Sequence, residues 1–157
     1  MKNIIIGITS LTIGGAERVL VDLANRLSEE YNVTIFTIYD GGELKKELNT
    51  NIKKIALYRK PFKELTKIEK LKASLKLLFY KKRIHEAIMK KGFDTQIAFL
   101  EGPVTRLFAV QSKINKIAWI HNDISKVYGN GIKSKIKKIL DAFLYSCTRY
   151  NKKLYRL

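Results

Sequence analysis

Two hydrophobic rhythms alternate along the chain. "NIIIGI", Asn3 to Ile8, is a short unbroken apolar run rich in β-branched residues, and turn-formers follow it. That pattern predicts a strand buried on both faces. Ala16, Val19, Leu20, Leu23, Ala24 and Leu27 then recur at helical spacing. They predict one face of a helix that starts near Gly15 and fades over Ser28 to Tyr31. "NVTIFTI", Asn32 to Ile38, predicts a second strand, broken by Asp40-Gly41-Gly42, and Lys54 to Tyr58 a weaker third. Phe62, Leu65, Ile68, Leu71, Leu75 and Leu78 mark an amphipathic helix, continued or followed by another through Ile84 and Ile88 and ended by Lys90-Lys91-Gly92. Thr95 to Leu100 predicts a fourth strand. Pro103 opens a helix over Val104 to Gln111, and Lys116 to His121 predicts a fifth strand. A loop rich in Asn, Ser and Gly runs to about Gly131. A basic helix follows, with Ile132, Ile136, Ile139, Leu140, Phe143 and Leu144 on its inner side.

Strands that alternate with helices, and that are buried runs rather than half-polar ones, predict an α/β fold. The expected architecture is a doubly wound, Rossmann-like parallel sheet. With 157 residues, 46% of them hydrophobic, the chain supports one domain around a real core, and it shows no internal repeat.

Charge adds information through its location. The net charge is +17, yet Met1–Tyr58 and Gly92–Ser125 are each balanced. Arg59–Lys91 carries twelve basic against three acidic residues, and Lys126–Leu157 nine against one. Two concentrated basic blocks point to an anionic partner: a membrane surface, a nucleic acid or a phosphorylated ligand. Solvated lysine-rich helix faces are the plainer reading. Cys147 stands alone, so no disulfide forms within the chain and a reducing compartment is expected, with the thiol an inert small residue. "MKNIIIGITS" lacks a signal-peptide cleavage pattern, and no segment approaches the ~20 apolar residues of a spanning helix. A cytoplasmic protein is expected, or one peripheral to the cytosolic face of a membrane.

In an open parallel sheet, ligands gather outside the carboxyl ends of the strands. Three such ends carry suggestive residues: Thr9-Ser10 through Gly14-Gly15-Ala16-Glu17-Arg18, then Glu101-Gly102-Pro103, then His121-Asn122-Asp123. The glycine pair fits two accounts. It permits close backbone approach of a phosphate to a helix N-terminus, or it only turns the chain, with Glu17 complementing the dipole. The spacing is neither G-x-G-x-x-G nor a Walker pattern. His121 and Glu101, each at a strand end, are read as site residues, and His85, beside Arg83 and Glu86, as a surface residue. Two histidines and one cysteine at these separations give no metal-ligand spacing, so no metal is expected.

"GGAERVLVDLANRL", "IAFLEGPVTRLFA" and "KIAWIHND" together resemble the N-terminal domain of GT-B glycosyltransferases, more narrowly the retaining family 4 enzymes of bacterial surface-glycan synthesis. The likeness covers Met1 to about Ser146, leaving residues 147–157 as an atypical basic tail. It implies transfer of a sugar from a nucleotide-sugar donor to a glycan or lipid-linked acceptor, with no cofactor and no metal. It also implies that His121 lies near the transferred sugar, with Glu101 on the same wall. Gly14, Gly15, Glu17, Arg18, Asn122 and Asp123 would border donor or acceptor. The C-terminal domain that holds most donor contacts in such enzymes is not in this sequence. The resemblance therefore implies a half-enzyme, inactive without a donor-binding partner. "CTRYNKKLYRL" also does not read as the strand expected after the last helix. Peripheral membrane contact through Phe62–Lys91 and Lys126–Leu157 fits a lipid-linked acceptor. The alternative function is a non-enzymatic basic module on an anionic membrane or nucleic acid. No helix-turn-helix or RNA-binding signature supports a specific nucleic-acid partner.

Overall fold

The computed structural model describes residues 1–100, 102–110 and 113–119, together with the backbone of 154–155. Its elements are β1 (Asn3–Ile8), α1 (Gly15–Leu27), β2 (Asn32–Tyr39), β3 (Lys53–Tyr58), α2 (Lys67–Phe79), α3 (Lys81–Met89), β4 (Thr95–Phe99), α4 (Pro103–Phe108), β5 (Asn115–Trp119) and β6 (Leu154–Tyr155). Short 3-10 turns cover Glu43–Glu47 and Phe62–Glu64. All strands are parallel, in the order β3-β2-β1-β4-β5-β6. The fold is the expected doubly wound α/β sheet.

β1 lies at the centre, bonded to β2 from Asn3↔Asn32 and to β4 from Ile4↔Thr95. Its unbroken apolar run follows from this position. Ile4, Ile6 and Ile8 join the layer beneath α1, with Leu20, Ala24 and Ile35. Ile5 faces the other layer, with Phe36, Ile88, Leu107 and Phe108. Gly7 is the exception in the run. A Cβ there would stand 2.6 Å from Val104 Cγ1 and 2.7 Å from the Phe108 ring, so the glycine lets α4 sit directly on the strand.

Several expectations are corrected. The inner face of α1 is rotated towards Val21, which is buried, while Val19 is 44% exposed. The helix drawn from Phe62 begins only at Lys67, because Thr66 caps it. The Thr66 hydroxyl accepts from the Glu69 N–H at 3.2 Å, and the Glu69 carboxylate accepts from the Thr66 N–H at 2.8 Å. Leu65 is buried ahead of that cap, whereas Ile68, Leu71 and Leu75 turn outward. A break at Tyr80 separates α2 from α3. His85 is not a surface residue: it is 2% exposed, because α3 packs this side inward against β4 and α4. The tail does contribute a strand. Leu154–Tyr155 pairs with Ala118–Trp119, since ladder bonds come from the backbone and tolerate basic flanks. The proposed helix over 132–144 and Cys147 lie outside the described residues.

Candidate functional site

β1 and β4 are neighbours, and the chain leaves them in different directions. This makes the crevice between their carboxyl ends the topological switch point, where such sheets bind ligands. Two segments flank it: residues 9–14 between β1 and α1, and Leu100 and Gly102 between β4 and α4.

The first segment is held from below. The Thr9 carbonyl accepts from the Ile38 and Tyr39 N–H groups at 3.2 and 3.1 Å, and the Leu11 carbonyl accepts from the Leu44 N–H at 3.1 Å. Gly42 lies so close to this segment that a Cβ would meet Leu11 backbone C and O at 2.1 Å, and its φ is +105°. Asp40-Gly41-Gly42 therefore does more than break a strand: it supports the floor of the crevice.

Gly14 is extended and carries no side-chain cap. A Cβ on it would stand 2.2 Å from Glu17 Oε2, so the Glu17 carboxylate already lies over this glycine. A Cβ on Gly15 would meet nothing within 4 Å. Packing within the described residues does not demand a glycine there, and the space beside the first turn of α1 is open. Arg18 points to Glu47 as an ion pair, both side chains largely exposed.

The second segment is strained and clamped. Leu100 has φ +70°, in the left-handed region that branched side chains avoid. Its N–H donates to the Trp119 carbonyl at 3.1 Å, and its carbonyl accepts from the Thr105 hydroxyl. Trp119 in turn stacks on Phe99, with centroids 5.2 Å apart. Strain held from two sides at a strand end is a recurrent feature of binding loops.

The structure thus brings Gly14, Gly15 and Glu17 to one side of the crevice and Leu100 and Gly102 to the other. Arg18 is engaged elsewhere. Glu101, His121, Asn122 and Asp123 lie outside the described residues. Among the described residues no three His, Cys, Asp or Glu side chains converge as a metal site. A small hollow of about 70 Å³ lies where β2 ends, lined by Leu11, Thr37, Asp40 and Lys45. It is well below the few hundred Å³ of a typical ligand pocket. There Lys45 Nζ donates to Asp40 Oδ1 at 2.6 Å and holds the Asp40 carboxyl below its usual range.

A larger cleft, about 270 Å³, was not foreseen. It opens where β3 ends, between Tyr58, Arg59 and Lys60 on one side and Leu65, Glu69, Lys72, Ala73 and Lys76 on the other. Its signal in the sequence is the small Ala73 between Lys72 and Lys76 on the helix that follows a basic strand end. Tyr58 stacks on Tyr39 at 5.7 Å, and its hydroxyl is buried without a hydrogen-bond partner among the described residues. No described helix is long and apolar enough to cross a membrane.

No family model and no curated protein matches this chain. Among solved structures, the C-terminal domain (residues 78–226) of the PF1911 hydrogenase from Pyrococcus furiosus is similar at a TM-score of 0.44 and 16% identity. The match covers 74% of this chain and 89% of that one. A likeness of that order carries no functional argument.

Proposed function

We propose that this chain is the acceptor-side domain of a sugar transferase of the GT-B type. It would act on a glycan or lipid-linked acceptor and depend on a second domain for most donor contacts. The observation that carries the reading is the convergence at the β1/β4 switch point. "GGAERVLVDLANRL" and "IAFLEGPVTRLFA", more than 80 residues apart, supply its two flanking segments. Open space at Gly15 and the Glu17 carboxylate suit a hydroxyl-rich ligand, whose O–H groups donate to a carboxylate. On this reading His121 and Glu101 complete the wall, with His121 nearest the transferred sugar and Asn122 and Asp123 beside it. The chemistry needs no metal and no cofactor beyond the nucleotide-sugar substrate. On this reading residues 1–157 supply one wall of the cleft, and the opposite wall that excludes water and orients the donor comes from a second domain.

The test has two arms. The chain alone, incubated with membranes and radiolabelled UDP- and GDP-sugars, should transfer no label. Fused to the donor-side domain of a family 4 transferase, it should transfer label, and His121→Ala should abolish the transfer. Turnover by the chain alone would remove the half-enzyme part of the reading. A folded fusion that is silent across the sugar panel would remove the rest.

A further inference from the structure

Helix α2 is inverted. In an ordinary surface helix the apolar stripe faces the core. Here the inward side is carried by Ala73, with Leu77 partly buried, while Ile68, Leu71, Leu75 and Phe79 form a stripe on the solvent side. These four are 68%, 62%, 43% and 73% exposed. They follow one another at spacings of three and four, so they form a continuous apolar strip about 16 Å long. Lysines flank it on both sides. Lys67 and Lys70 lie along one, and Lys72 and Lys76 along the other, where they also form a wall of the cleft opposite Arg59 and Lys60. Among the described residues that line the cleft the one carboxylate, Glu69, is committed to Thr66 and Lys60.

We propose that this face docks on an anionic phospholipid bilayer. The strip Ile68-Leu71-Leu75-Phe79 lies at the acyl boundary, and Arg59, Lys60, Lys72 and Lys76 gather lipid phosphates around the cleft. Charge selects this occupant over the others. Two copies joined strip to strip would press lysine rows against lysine rows. The chain's own segment Lys126–Leu157 carries a net +8, so the face repels it. A nucleic acid would satisfy the lysines and leave four large aliphatic and aromatic side chains in water. An anionic bilayer satisfies both, since its interface accepts an apolar face flanked by cations. The proposal is independent of sugar transfer, because it rests on α2 and the end of β3 rather than on the β1/β4 crevice.

The test is co-sedimentation of the full chain with vesicles of phosphatidylglycerol or of phosphatidylcholine. Binding should be saturable and confined to phosphatidylglycerol, and should weaken about tenfold or more between 0.1 and 0.5 M salt. The double variant Leu71→Gln/Leu75→Gln should lower affinity about tenfold or more, as should Lys72→Glu/Lys76→Glu. All four positions are exposed, so far-ultraviolet circular dichroism should be unchanged. Leu75→Trp should show a blue-shifted emission on phosphatidylglycerol alone. Equal binding to both lipids at every salt concentration overturns the proposal, as does phosphatidylglycerol binding that the glutamine pair leaves intact. Self-association without vesicles that the glutamine pair abolishes assigns the strip to a second copy. Saturable duplex binding at 0.15 M salt with no vesicle binding assigns the lysines to nucleic acid. Either result overturns the proposal.

Discussion

His85 Nε2 lies 3.0 Å from Gln96 Oε1 in the interior, joining α3 to the sheet. The Gln96 amide nitrogen donates to the Phe108 carbonyl at 2.6 Å, which turns the amide oxygen towards the imidazole. The ring nitrogen facing it must then be the donor, which fixes the Nε2–H tautomer of a neutral histidine. α3, β4 and α4 are tied through one buried polar chain, and α4 is the helix that follows the second crevice segment.

That chain sets a pH dependence. Burial lowers the His85 pKa below its ordinary 6.5, the Gln96 bond opposes the shift, and Lys116 adds to it. The unfolded chain therefore takes up the proton first as pH falls. The stabilisation is complete above about pH 6.5 and is lost as pH falls from there towards the lowered value. Urea unfolding at about pH 7.5 and 5.5 should show this loss, and His85→Leu should remove that component. His85→Ala and Gln96→Leu should each cost about 2–3 kcal/mol, through a cavity or unpaired buried groups. The double variant should cost less than their sum. Additive costs would break the proposed coupling.

Substitution of Gly15 should separate stability from the proposed function. Alanine there meets no atom of the described residues within 4 Å and should raise stability by about 0.5 kcal/mol through better helix propensity. In the transferase fusion the same change, and more so Gly15→Leu, should lower transfer by filling the space beside the crevice. Thermal denaturation and transfer rate should move in opposite directions.

Gly42 should tolerate no side chain. Alanine would bring a Cβ against the Leu11 carbonyl and impose a left-handed φ on a residue that resists it. A loss of about 3 kcal/mol is expected in urea unfolding. Gly92 also has a positive φ but open space around it, so Gly92→Ala should lose only about 1 kcal/mol.

The Tyr58 hydroxyl is buried at no gain. Tyr58→Phe should be neutral or stabilising by about 1 kcal/mol in the same assay, because an unpaired buried hydroxyl is removed. Burial and the neighbouring Tyr39 also raise the Tyr58 pKa. The unfolded phenol therefore ionises first, and stability should fall as pH rises through about 10, less steeply in Tyr58→Phe.

The backbone plan was legible because strand and helix periods differ. β1 has the predicted limits Asn3–Ile8, and the central parallel sheet follows from runs buried on both faces. What escaped depends on tertiary context. Periodicity reports that a helix has an apolar side but not where that side points, so an amphipathic helix was legible near Phe62 while the outward direction of Ile68, Leu71 and Leu75 was not. A lone His between charged neighbours reads as surface until Gln96, eleven residues away, is known to face it. For the site, the two crevice segments were located by their glycines. The support that Gly42 gives to Leu11 involves a contact 31 residues apart and leaves no mark in local composition. Glu101 and His121 fall outside the described residues, and their place at the candidate site is proposed from sequence pattern.

The Glu17 carboxylate over Gly14 has a last consequence. A phosphate seeking the N-terminus of α1 would find an incumbent anion and would have to evict it. A neutral polyol would meet a receptor that welcomes its hydroxyls. On the proposed function the crevice edge would thus discriminate by charge type, with the Glu17 carboxylate setting its sense. Glu17→Gln would turn a repellent of diphosphates into a tolerant surface while leaving the backbone around it unchanged.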